Sequence, residues 1–386
     1  MHQPQPWPSW RRRFFTFSAL NFARFDAAVW ILFLRGRGLS LAAVGGAEVA
    51  YHVAGLLAQV PTGLFADRRG RAVAMTVGCA VGAVGSLLLL TVHGALAAAA
   101  VIALSSLGAT FVAGADRGLL YARLAEDGRQ GSYREAAGRL LAVEDATGTV
   151  ASALGGWLAG VSWTLVMGAR AIVLMGAGTL ATQLGGTPPP PVPLRAAASA
   201  ALRSRPLRRL TLYAAGYAAL TTTAHLWAQV LLADKGASLA AVGASLAATQ
   251  LASSAGGLLA PRLRLGSRAF AWTPVLLAVT WAGAALAPTA LLALGAILPG
   301  FLVEGIFYPQ METAVQRHAP EALRASVLSA QSALFSLAMI GLFPLFGALL
   351  DHLGPHAYLL LLPPWLALAG ASRWIAGDTT EEPAAS

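Results

Sequence analysis

The chain contains a single cysteine, Cys79, so no disulfide can close within it. Its only lysine, Lys235, is followed by Gly236, and no Gly-Lys-(Ser/Thr) phosphate-binding loop exists. Neither His-Glu-x-x-His nor Gly-x-Ser-x-Gly occurs, which removes the commonest intramembrane peptidase and lipid-hydrolase chemistries. No catalytic residue, cofactor or metal site is read from the residues; Asp351, His352 and His356 are split by Pro355 in a short loop. Charge is scarce as well. Only 11% of the 386 residues are charged, against about 25% in a soluble globular domain. Hydrophobic residues reach 56%, and a chain so composed belongs in a lipid bilayer.

Runs of about 20 apolar residues, long enough to cross hydrocarbon as helix, fall at 14–34, 41–63, 72–92, 95–118, 137–161 and 164–184. A second set falls at 207–232, 238–260, 269–287, 289–310, 323–350 and 356–376. The expected fold is therefore an all-α membrane protein with 12 transmembrane helices. With the N-terminus in the cytoplasm, 21 of the 27 basic residues lie on cytoplasmic segments and only Arg35, Arg37 and Lys235 lie outside. The positive-inside rule then places both termini in the cytoplasm. The net charge of +10 is a topology signal and does not point to nucleic acid. The first apolar run is full length and anchored by Arg11, Arg12 and Arg13, so no cleavable leader is read.

The most informative stretch is residues 61–71, Pro-Thr-Gly-Leu-Phe-Ala-Asp-Arg-Arg-Gly-Arg, read as a tight charged loop between two apolar segments. Gly63 and Gly70 permit close approach and unusual backbone angles, and Asp67 among arginines can latch onto helix ends or neighbouring charges. The run resembles the loop between helices 2 and 3 of the major facilitator superfamily, Gly-x-x-x-Asp-Arg-x-Gly-Arg-(Arg/Lys). Gly63, Asp67, Arg68, Gly70 and Arg71 match it, and Ala72 replaces the last basic residue. Phe25-Asp26-Ala27-Ala28-Val29-Trp30 and Arg324-Ala-Ser-Val-Leu-Ser329 resemble runs of a bacterial exporter-like subgroup. Where that subgroup has acidic residues, this chain has Gln59, Arg117 and Ala122. Drug:proton antiporters of the superfamily carry Gly-Pro where Ala151-Ser152 stand here.

The hexamer Ser40-Leu-Ala-Ala-Val-Gly45 recurs as Ser238-Leu-Ala-Ala-Val-Gly243. Each copy opens an even-numbered span, which suggests a duplicated six-helix unit of parallel topology. The resemblance implies the same: two pseudo-symmetric six-helix bundles, residues 1–184 and 207–386, joined by a proline-rich cytoplasmic linker at 185–206.

Charges inside spans mark the candidate site, because a charge in hydrocarbon is costly unless it is paired or lines a wet cavity. Asp26 with Arg24, and Asp116 with Arg117, are read either as cross-helix ion pairs that assemble the N-terminal half or as carboxylates that bind a proton or a cationic substrate. Glu48 and His52, four residues apart, share one helix face and suit a proton-coupled step or a structural hydrogen bond. Glu304, with Tyr308 one turn on, is the lone acid well inside its span. Arg170 is a salt-bridge partner or an anion contact. Asp67 and its arginines are assigned to gating. Together with the resemblance, these residues lead to a monomeric secondary transporter working by alternating access. The expected activity is proton-coupled efflux of a small amphipathic or drug-like molecule, with import or uniport of a polar metabolite as the alternative. A channel or the permease of an ATP-driven system is the alternative from another class.

Overall fold

The computed structural model describes residues 7–185, 205–263, 265–319 and 324–379. The proline run of the expected linker, Arg264 and the acidic tail lie outside these. Fourteen α-helices are present among the described residues, and no strand. They are α1 Trp7–Phe22, α2 Trp30–Gly36, α3 Leu41–Arg69, α4 Arg71–Leu89, α5 Ala95–Val112, α6 Ala115–Glu126, α7 Tyr133–Val161 and α8 Trp163–Ala181. There follow α9 Arg205–Asp234, α10 Leu239–Leu259, α11 Ala269–Leu286, α12 Ala290–His318, α13 Arg324–Leu353 and α14 Leu362–Thr379. Helices α1 and α2 form one interrupted crossing, as do α5 and α6, so the fourteen helices make the twelve crossings expected.

Seven stretches are long and apolar enough to cross a membrane on length and hydropathy alone. One of them, Val327–Arg373, holds both α13 and α14. The crossings that fail the test do so for physical reasons: Arg24 and Asp26 interrupt the first, Glu144 and Asp145 sit in α7, and α9 and α10 are rich in threonine, serine and glutamine. Apart from the break in the first, these crossings have their backbone groups satisfied as helix, which hydrocarbon demands.

The charged stretch at 61–71 is not a loop. Helix α3 runs unbroken through Pro61 to Arg69, and Gly70 alone, at φ 99°, turns the chain into α4. Arg68 and Arg69 occupy the last helical turn, where the helix dipole favours positive charge. That preference extends the helix past the point where the apolar run ends.

Cα proximity divides the chain into two compact units: residues 1–39, 46–192 and 239–247, and residues 40–45, 193–238 and 248–386. The first has a core of Trp10, Phe14, Phe17, Met75, Leu120, Leu124 and Leu174. There the Trp10 indole donates to the Leu184 carbonyl at 2.8 Å. The second is centred on buried aromatics, with Trp227 stacked on Phe343 at 4.7 Å and Trp281 on Tyr358 at 5.2 Å.

The duplication is longer in the structure than the hexamer suggests. Residues 37–45 and 235–243 align as basic-Gly-x-Ser-Leu-Ala-Ala-Val-Gly, with Gly38 and Gly236 both left-handed at φ 84° and 89°. In the first copy Arg37 donates to the Leu90 carbonyl at the end of α4, at 2.7 Å. In the second Lys235 donates to the Ala285 and Ala287 carbonyls at the end of α11. Each repeat thus places a cation on the C-terminus of the third crossing of its set, where exposed carbonyls and the dipole favour it.

Candidate functional site

Crossing 1 is discontinuous. Helix α1 stops at Phe22, residues 23–29 form turns, and α2 begins at Trp30. A break inside a crossing exposes backbone groups that something must satisfy. Arg170, on α8, does this: its Nη1 donates to the Asn21 carbonyl at 2.8 Å and the Ala23 carbonyl at 3.3 Å. Its Nε lies 3.9 Å from Asp26 Oδ1. Gly155 on α7 makes the break possible from the other side, since a Cβ there would overlap the Phe25 carbonyl.

Facing the break is α3. Glu48 and His52 share one of its faces as expected, with His52 Nε2 3.7 Å from Glu48 Oε1. The Tyr51 ring packs edge-on to His52, and the Tyr51 carbonyl accepts from Ser106 Oγ at 2.7 Å. Arg24 is exposed and makes no hydrogen bond or ion pair with a described residue, yet Asp26, Tyr51 and Glu48 all lie within its electrostatic reach. Arg24 and Asp26, two residues apart, are therefore not a tight pair; Asp26 is held by Arg170.

Crossing 4 is also broken, at Gly114 in the left-handed conformation, and Asp116 and Arg117 open α6. Asp116 Oδ1 accepts from the Arg117 backbone N–H at 2.6 Å, while the guanidinium reaches Glu144 on α7 at 2.5 Å. Ser18 of α1 donates to the other Glu144 oxygen at 2.6 Å. Glu144, 3% exposed, is thus the group that ties crossings 1, 4 and 5 together, and its assignment escaped sequence reasoning. The available signal was its position: an acid inside a span requires a cation within reach.

In the second unit Glu304, the lone acid well inside its span, meets a histidine from another crossing. His225 of α9 places Nε2 3.0 Å from Glu304 Oε2, and its ring stacks on Phe301 at 4.0 Å. Phe301 and Glu304 are three residues apart and share a face of α12, so the aromatic ring positions the imidazole for the carboxylate. Glu312, further along α12, accepts from Gln331 at 2.6 Å.

At the Gly70 end, Arg71 donates to the Gly118 carbonyl of α6 at 2.5 Å. Asp67 makes no hydrogen bond or ion pair with a described residue. Gly63 has open space beside it. Val60, Pro61, Leu64, Phe65, Arg68 and Arg69 line a cavity of about 510 Å³. Among the described residues no three His, Cys, Asp or Glu side chains cluster to hold a metal. Asp351 instead accepts from the backbone N–H groups of Leu41 and Ala42, both at 2.9 Å, capping α3 within the second unit.

Interrupted crossings and intramembrane ion pairs within a polytopic helical fold are an arrangement a membrane transporter uses, and the family match assigns the chain to that class. A sequence model of the Major Facilitator Superfamily matches residues 14–340, and the chain belongs to that family. No curated protein matches it. Solved structures share the fold at low identity. The nucleoside transporter NupG is 15% identical over 97% of this chain and 100% of its own, with a TM-score of 0.74. A bacterial homologue of the iron transporter ferroportin, inward-facing, is 17% identical over 98% and 100%, at 0.75. A D-xylose-proton symporter is 13% identical over 97% and 99%, at 0.71.

Proposed function

We propose that the protein is a monomeric, proton-coupled exporter of a small amphipathic or drug-like molecule in a bacterial inner membrane, with both termini in the cytoplasm. Residues 1–184 rock against residues 207–386 about the linker at 185–206, and Asp67 with Arg68 and Arg71 gates the cytoplasmic side. The observation that carries this reading is the break in crossing 1. It presents Asp26 and Arg24 to Glu48 and His52 within one unit, and discontinuous helices with charged residues are the usual means of placing a coupling site at mid-membrane.

The proton belongs on the Glu48–His52 pair, which has Tyr51 beside it on α3 and Arg24 of the interrupted crossing within electrostatic reach of Glu48. Charge moved on or off that face alters the field on the arginines that hold the break. Protonation therefore biases which arrangement of the carrier is favoured.

The test is flux in proteoliposomes under clamped pH gradients of either sign. Saturable flux driven opposite to the movement of protons, and reversed when the gradient is reversed, supports the reading. Flux that never saturates assigns a channel, and saturable flux indifferent to the gradient assigns a uniporter. Net accumulation on the side the protons enter would favour import of a polar solute by symport, the coupling named for the D-xylose-proton symporter.

A further inference from the structure

Both copies of the duplicated hexamer are seated in the same way, each on a glycine of another crossing. A Cβ on Gly347 of α13 would overlap the Leu41 carbonyl, and one on Gly156 of α7 would overlap the Leu239 carbonyl. Leu41 and Leu239 hold the same place in the hexamer. Its last glycine is pressed as closely: a Cβ on Gly45 would overlap Pro344, and one on Gly243 the Ser152 carbonyl. Each set lies within one unit, residues 41, 45, 344 and 347 in the second and residues 152, 156, 239 and 243 in the first. Backbone therefore meets backbone at the opening turn of α3 and at that of α10, as small residues permit.

The two contacts differ four residues further on, along the same helix face. Four after Gly347 stands Asp351, whose carboxylate oxygens accept from the Leu41 and Ala42 N–H groups, both at 2.9 Å. Ser40 Oγ accepts from the Ala43 N–H at 3.1 Å, so side chains meet three of the four N–H groups that a helix start leaves open. Four after Gly156 stands Gly160, with open space where a side chain would be. Among the described residues no carboxylate reaches the Leu239 and Ala240 N–H groups. At the far end of α3, Asp67 has no hydrogen bond or ion pair with a described residue. The acid at one end of crossing 2 is engaged and the acid at the other is not.

We infer that Asp351 is a releasable latch on the N-terminus of α3, that it biases the carrier toward the arrangement seen here, and that the repeat-related contact at Gly156 and Gly160 lacks its counterpart. A carboxylate gains there from two charge-assisted hydrogen bonds and from the helix dipole. Asp351 is exposed, so water can take over both partners when they part, which makes the fastening reversible. The glycine contacts supply fit without a directional bond, so the latch decides how long the seat is kept. Helix α3 lies in residues 1–184 and α13 in residues 207–386, and the latch must open whenever those parts rock. The inference deepens the alternating-access reading and rests on it, but not on the substrate, the coupling ion or the direction of transport.

The experiment is single-molecule fluorescence energy transfer on the full chain in nanodiscs, with dyes on His93→Cys and Pro288→Cys in a Cys79→Ala background. These positions lie just after α4 and α11, whose ends Arg37 and Lys235 cap beside the two hexamers. A latched, high-transfer level is expected to alternate with an open, low-transfer one. Asp351→Ala should raise the ratio of open to latched at least fivefold, the usual worth of a helix N-cap. Asp351→Asn, which keeps one acceptor, should raise it about two- to threefold. Gly160→Asp supplies the missing carboxylate to α10. It should lower the ratio about threefold or more, alone and in the Asp351→Ala chain. Because it removes no contact, it also covers the case that Asp351→Ala does not fold. A cap that is only structural would lower the unfolding midpoint of Asp351→Ala and leave the ratio where it was. That result, a Gly160→Asp ratio no lower than that of its parent, or a single transfer level in every variant would overturn the inference. Ratios that shift as expected without saturable flux in proteoliposomes would instead remove the carrier reading and leave the latch standing.

Discussion

A guanidinium or carboxylate inside hydrocarbon persists only if its charge is met, and the three intramembrane arginines of the first unit meet theirs differently. Arg117 is tied to Glu144, which is also held by Ser18, so removing Glu144 strands a cation within a crossing. Glu144→Ala should lower the unfolding free energy by about 3 kcal/mol, measured by denaturant titration in mixed micelles. Glu144→Gln, which keeps the hydrogen bond to Ser18, should cost less, and equal stability for Glu144→Ala and wild type would contradict the pairing. At this scale the residues were visible in sequence and their partners were not. Asp26 was set beside Arg24 because they are neighbours in the chain, yet its partner, Arg170, comes from α8. Glu304 was read as the lone acid well inside its span, and the histidine beside it, His225, comes from a different helix. A sequence shows which charges need partners; only packing between crossings decides which ones meet.

Helices report a second kind of information. Two crossings are interrupted, at residues 23–29 and at Gly114, and each interruption carries the charged residues at its edge. The break in crossing 1 depends on Gly155, whose missing side chain admits the Phe25 carbonyl. Gly155→Val must push α7 away from the break, and we predict at least a tenfold loss of transport together with a stability loss of about 1–3 kcal/mol from overpacking. Proteoliposome flux and thermal unfolding measure the two effects, and wild-type flux in that variant would show that the break does not need this contact. Helix α3 was harder to read. Hydrophobicity ends near Gly63, but the helix continues to Arg69, because basic residues are favoured in a last turn, and Gly70 at φ 99° then turns the chain into α4. Gly70→Ala places a side chain at φ 99° and should cost about 1 kcal/mol, seen as a lower unfolding midpoint with ligand binding retained.

On the scale of the whole molecule, twelve crossings and an internal duplication were legible from composition, span length and a shared hexamer. The structure adds that Arg37 and Lys235 occupy equivalent places in the two repeated stretches and cap equivalent helix ends. The proposed alternating access requires Asp67 to engage and release as the bundles rock, and in this structure it has no partner among the described residues. Asp67→Asn should therefore reduce transport at least tenfold while leaving equilibrium ligand affinity within about twofold, since gating and binding are separate free-energy terms. Parallel loss of affinity would place Asp67 in the binding site instead.

The account depends most on coupling at the interrupted first crossing. Its most direct measurement compares gradient-driven flux with substrate exchange at equal pH on both sides, in wild type, Asp26→Asn and Glu48→Gln proteoliposomes. We predict that at least one variant loses gradient-driven flux tenfold or more while exchange persists. Proton dependence unchanged from wild type in both variants would contradict it.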